Sequence, residues 1–127
     1  MSELNISKRD RDGVVILDLA GPITLGDTSA KLHWSLRELV EDGTRQILLN
    51  LAGVTTIDSS GLGTLVAGYT TVERSDGEMK LVNLSTRVVE LMTITKLYTV
   101  FDIFEDEGAA VASFEKASEA AAAESPL

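Results

Sequence analysis

The sequence predicts an α/β domain. A β-hairpin is followed by alternating helices and strands, giving a mixed, mostly parallel sheet of roughly four to five strands with about four helices packed on it. Three observations lead there. Short apolar runs such as "VVILDL" (Val14–Leu19) and "QILLNL" (Gln46–Leu51) are separated by longer stretches whose apolar residues recur at helical spacing. Glycine, proline, serine or aspartate punctuates nearly every change of period. The 127 residues can bury one core and are too few for two comfortable ones.

Leu4 to Ser7 alternates apolar and polar, as a half-exposed edge strand does. "RDRDG" (Arg9–Gly13) carries the charge and glycine of a hairpin turn, and Val14–Leu19 reads as a more buried strand. "GPITLGDT" breaks regular structure at Gly21, Pro22 and Gly26. From Asp27 to Glu41, Leu32, Leu36, Leu39 and Val40 share a helical face, and Gly43 ends that helix. Gln46–Leu51 is short and almost continuously apolar, which predicts a strand buried on both faces.

Leu62, Leu65, Val66, Tyr69 and Val72 form the stripe of a second helix. After the turn "SDGE", Met79–Leu84 reads as a strand. Ser85 is an N-cap for a helix carrying Val88, Val89, Leu91 and Met92. Phe101–Phe104 predicts a short strand, and Asp106 and Glu107 start a last helix containing Val111 and Phe114. Residues 117–127 are rich in alanine and glutamate and have little to bury, so they are expected to fray and leave one domain over 1–116.

The hydrophobic and charged fractions, 44% and 24%, are those of an ordinary globular domain. A net charge of −9 repels phosphate backbones, which argues against nucleic acid and anionic membranes as partners. Cysteine is absent, hence no disulfide framework and no thiolate metal site. "MSELNISKRD" has no long apolar run, which predicts neither a signal peptide nor a membrane-inserted helix, and a cytoplasmic protein is expected. The acidic surface without an obvious exposed apolar stripe leans towards a monomer.

"TTIDSSGLG" (Thr55–Gly63) is the unusual stretch. It follows a strand and opens a helix, on the carboxyl side of the sheet where α/β folds gather their sites. Asp58 suits an N-cap, accepting from the N–H of Ser60 or Gly61, with Ser59 first in the helix and its hydroxyl near the surface. Gly61 and Gly63 let that helix start press against the sheet or let something approach the backbone. On "DSSG" alone, capping is the better account.

Enzymatic readings fare poorly. Ile57 stands where a nucleophile elbow needs glycine, and the single histidine, His33, lies off the apolar stripe beside Trp34. "GLGTLV" has Val66 at the third glycine of a dinucleotide fingerprint. Metal-ligand spacing is absent, so no catalytic residue, metal or cofactor is assigned. Phosphorylation needs only an accessible hydroxyl and a partner kinase, and Ser59 suits it. Trp34 reads either as a partner anchor or as partly buried, and Thr55 and Thr56 read as ordinary loop residues.

Ile47 to Leu84, with its hydrophobic-Asp-Ser-Ser-Gly-Leu-Gly run and following "DGE" turn, closely resembles the STAS domain of bacterial anti-sigma factor antagonists. The order of elements fits over nearly the whole chain, to about residue 116. The resemblance implies a regulator that acts by protein contact. Its unphosphorylated form binds an anti-sigma factor with serine kinase activity and frees a sigma factor. Phosphorylation of the serine after the aspartate, here Ser59, switches it off, and a phosphatase resets it. ATP and Mg²⁺ belong to the kinase.

The implied partner surface is the helix start, Asp58, Ser60, Gly61 and Leu62 around Ser59, together with the loop Ile23, Thr24, Leu25, Gly26 and Asp27. That loop departs from the family's acidic "GELD"-like segment, since Pro22 and Thr24 replace the acids. The same fold also serves as a constitutive subunit, in a stressosome-like scaffold or a lipid-transport complex, which is the competing expectation.

Overall fold

The computed structural model describes residues 3–114. In chain order the elements are β1 (Asn5–Arg11), β2 (Val14–Ile23), α1 (Asp27–Glu41), β3 (Gln46–Ile57), α2 (Ser59–Arg74), β4 (Glu78–Val82), α3 (Thr86–Ile94), a 3₁₀ turn (Leu97–Thr99) and β5 (Ile103–Phe104). A last helix, α4, covers 107–114. The sheet has five strands in the order β1-β2-β3-β4-β5. β1 is antiparallel to β2, and every other neighbouring pair is parallel. The mixed, mostly parallel sheet with four helices is therefore the one the sequence predicts. The expected fraying of 117–127 lies outside the described residues.

Alternation explains the continuous apolar runs. Val15, Leu17 and Leu19 of β2 point to one face with Ile47, Leu49, Leu51, Met79 and Leu81, beneath the helical stripes Leu32/Leu36/Leu39, Leu62/Leu65/Val72 and Val88/Met92. Val14, Ile16, Leu48 and Val82 point to the other face, where Ala110, Val111 and Phe114 of α4 cover them. The central strands are thus buried on both sides, and each large aliphatic side chain removed from water contributes about 1.5–3 kcal/mol. Lys80 faces α4 as well, donating to Ser113 Oγ at 2.8 Å with its ammonium 4.6 Å from the Phe114 ring centroid.

Several boundaries differ from expectation. β1 runs to Arg11, and the turn is only Asp12 and Gly13, both at positive φ (51° and 85°), the two-residue hairpin that strand twist favours. Arg9 and Arg11 belong to the strand because their guanidinium groups reach Asp18 and Glu107. β2 does not break at Gly21 and Pro22 but continues to Ile23. Pro22 is tolerated because the pairing with β1 ends at Asn5–Ala20, so its missing N–H faces no β1 partner. Register slips between Asp18 and Ala20 and between Gly21 and Pro22 absorb the irregularity, and β3 extends beyond Leu51 to Ile57 alongside.

β4 spans Glu78–Val82 rather than Met79–Leu84, since Asn83 turns at φ 60°. β5 is only Ile103–Phe104, because Phe101 packs into the main core instead. Val89, expected among the apolar residues of α3, is exposed, leaving Val88 and Met92 as the buried pair.

Candidate functional site

The site sits where β2 and β3 end and α1 and α2 begin. β3 delivers Ile57 into the core, and the next residue, Asp58, adopts extended backbone and caps α2. Its Oδ1 accepts from the N–H of Gly61 at 2.9 Å, and its carbonyl accepts from Leu62 at 2.9 Å. The Asp58 side chain thus satisfies a donor that a helix start otherwise leaves orphaned.

Gly61 is glycine for a geometric reason. A β-carbon there would lie 2.0 Å from the Ile23 carbonyl oxygen and 2.8 Å from Ile57 Cγ1. The first turn of α2 is pressed onto the end of β2 as closely as backbone allows. Gly63 meets nothing within 4 Å, so its side of the helix is open. Ser59 begins α2 with an exposed hydroxyl that has no hydrogen-bond partner among the described residues.

The loop before α1 is brought against this helix start. The N–H of Asp58 donates to the Ile23 carbonyl at 3.4 Å, and the N–H of Leu25 donates to Asp58 Oδ2 at 3.0 Å. Thr28 braces the loop from the other side, accepting from the Thr24 N–H at 2.9 Å and donating to the Thr24 carbonyl at 3.0 Å. The two stretches that the resemblance implies as a partner surface are therefore one surface, joined through Asp58. Ile23 and Leu62 are buried and support it from below, while Leu25, Gly26 and Asp27 are exposed and Thr24, Asp58 and Ser60 are half-buried. Leu25 is 79% exposed.

Two of these features escape a sequence reading. The span from Leu25 to Asp58 is long-range, and Thr28 is noticeable only as a second threonine one helical turn beyond Thr24. The carboxyl of Asp58 is held below the usual carboxylate range, first by the Gly61 N–H and then by the Leu25 N–H, so it is ionised at neutral pH. His33 is on α1 in edge contact with Trp34, their ring centroids 5.3 Å apart. A shallow cleft lined by Tyr69, Glu73, Glu78, Lys80 and Asp102 lies by the start of β4, at the amino rather than the carboxyl end of the parallel strands. Among the described residues no cluster of three or more His, Cys, Asp or Glu is arranged to hold a metal, and no helix is long and apolar enough to cross a membrane.

The domain thus presents an exposed, unengaged hydroxyl at a helix start packed closely on the sheet. The STAS domain family model matches residues 5–110, and the chain belongs to that family. It is 31% identical over 100 residues to the anti-sigma-B factor antagonist of Bacillus subtilis, a match that covers 79% of this chain and 90% of the relative. Its fold is similar to that of an anti-sigma factor antagonist from Mycobacterium paratuberculosis, with TM-score 0.75 and 20% identity over 87% of this chain and 93% of the other. It is similar too to the Bacillus cell fate determinant SpoIIAA in its phosphorylated form, with TM-score 0.67 and 17% identity over 87% and 98% of the two chains.

Proposed function

We propose that this protein is an anti-sigma factor antagonist switched by phosphorylation of Ser59. Unphosphorylated, it binds a cytoplasmic anti-sigma factor that is also a serine kinase, and the sigma factor is released. The observation that carries the reading is the Ser59 hydroxyl, exposed and without a hydrogen-bond partner among the described residues, at the first position of a helix locked against the sheet. A kinase can reach such an oxygen without unfolding anything.

The physics of the switch follows from its surroundings. A phosphate adds about −1.5 to −2 charges with three strong acceptors. The positive end of the α2 dipole stabilises it, and the carboxylate of Asp58 repels it, so the fold is little changed. A partner packed on this surface must instead desolvate a dianion, which costs several kcal/mol unless cations meet it. Binding is lost at the interface rather than through the fold. Kinase nucleotide and Mg²⁺ stay with the partner, and a phosphatase restores the binding form.

The test compares Ser59→Ala and Ser59→Glu with the unmodified protein as immobilised baits. Ser59→Ala is expected to hold the kinase and ignore ATP; Ser59→Glu is expected to bind weakly, incompletely so because it carries less charge than phosphate. Partner retention that does not respond to either substitution refutes the switch and favours a constitutive subunit.

A further inference from the structure

We propose that Asp58 is the positioning residue of the partner surface: its second carboxylate oxygen holds the Leu25 loop so that the Leu25 side chain stands beside Ser59 as the apolar anchor for the partner. The inference rests on the antagonist reading above and adds to it a division of labour within the site.

Capping α2 requires only one acceptor, and Asp58 Oδ1 supplies it to Gly61. Serine or asparagine caps about as well. Only a carboxylate offers two acceptor oxygens, and the second, Oδ2, takes the Leu25 N–H from 33 residues away at 3.0 Å. The carbonyls on either side are tied to α1, Thr24 accepting from Ser29 and Gly26 from Ala30, whereas the Leu25 N–H has Asp58 Oδ2 as its acceptor. Thr28 binds Thr24 only, and Gly26, at φ 102°, leaves the start of α1 without a side-chain cap. Held as it is, Leu25 exposes 79% of its surface directly beside the phospho-acceptor helix. A bulky aliphatic group in water at that place fits a protein partner with an apolar recess at the rim of its nucleotide site.

Asp58→Asn and Asp58→Ser separate the two roles, because each keeps one acceptor oxygen where Asp58 places a separate oxygen on each donor. Amide hydrogen exchange on ¹⁵N-labelled protein is expected to speed up about tenfold at Leu25, with the Gly61 amide and the urea midpoint near wild type. The complex with the co-purified kinase is expected to dissociate faster by a similar factor, and Leu25→Ala is expected to match it. Unchanged exchange at Leu25 overturns the clamp, and faster exchange with an unchanged dissociation rate overturns the anchor. Failure of the antagonist reading shows separately: Ser59 then stays unmodified with ATP, the anchor role falls with it, and exchange at Leu25 still decides the clamp.

Discussion

Alanine at Gly61 and alanine at Gly63 are predicted to move stability in opposite directions, although both lie in the first turns of α2. In an open helical position the exchange favours the helix by about 0.5–1 kcal/mol, through propensity and a less flexible unfolded chain. Gly63 is such a position, with nothing within 4 Å of an added methyl. At Gly61 the methyl would meet the Ile23 carbonyl oxygen at 2.0 Å, the Ile23 carbonyl carbon at 2.9 Å and Ile57 Cγ1 at 2.8 Å. Two of those atoms are backbone, so rotamer changes give no relief and α2 must move off the sheet. Overpacking of this kind costs up to about 3 kcal/mol, and after the propensity gain roughly 2 kcal/mol of destabilisation remains. For a domain of this size that is about 6–10 °C in Tm. Urea unfolding monitored by far-UV circular dichroism reads both variants. A Gly61→Ala protein as stable as wild type, or a Gly63→Ala protein that is strongly destabilised, would refute the close approach on which the site's rigidity rests.

Phe114 anchors α4 in the smaller core, and Phe114→Ala is expected to cost about 3–5 kcal/mol in the same urea assay. Asp18 is held below its ordinary range first by Arg9 and then by Asn50, and Glu107 first by Arg9 and then by Arg11. A depressed carboxylate stabilises above its unfolded pKa and loses that contribution as pH falls through its folded value. Stability should therefore decline below about pH 4.5, and an Arg9→Gln variant should show a flatter decline in Tm-against-pH curves. These groups are partly solvated, so at neutral pH Glu107→Gln should cost only about 0.5–1 kcal/mol by chemical denaturation. Trp34 is 62% exposed, so Trp34→Ala should leave the urea midpoint within about 0.5 kcal/mol of wild type.

The parts legible in the sequence are those written in local chemistry. Asp58 and Ser85 cap the helices that the apolar stripes predict, with Ser85 accepting from the Val88 N–H as Asp58 does from Gly61. The run from Asp27 to Glu41 is helical to the residue. Local signals misled where tertiary pairing overrode them. Gly21 and Pro22 look like breakers, but β3 offers a parallel partner to their strand and β1 has already ended. "RDRDG" looks like one long turn, but cross-strand and α4 carboxylates draw its arginines into β1. At the site, the capping aspartate, the surface serine and the tight glycine are readable from "DSSG". The joining of Leu25 to Asp58 is not, because no local pattern reports a contact across 33 residues.

The central claim is that Ser59 is the switch. Its most direct measurement is made on the complex of the unmodified protein with its kinase partner, to which ATP and Mg²⁺ are added. Site-resolved mass spectrometry then follows phosphate on Ser59 while the released partner is quantified in the same time course. The account predicts that phosphate accumulates on Ser59 and the partner leaves in step, with neither event for Ser59→Ala. A partner that remains bound while Ser59 is phosphorylated, or that leaves with Ser59 unmodified, would contradict it.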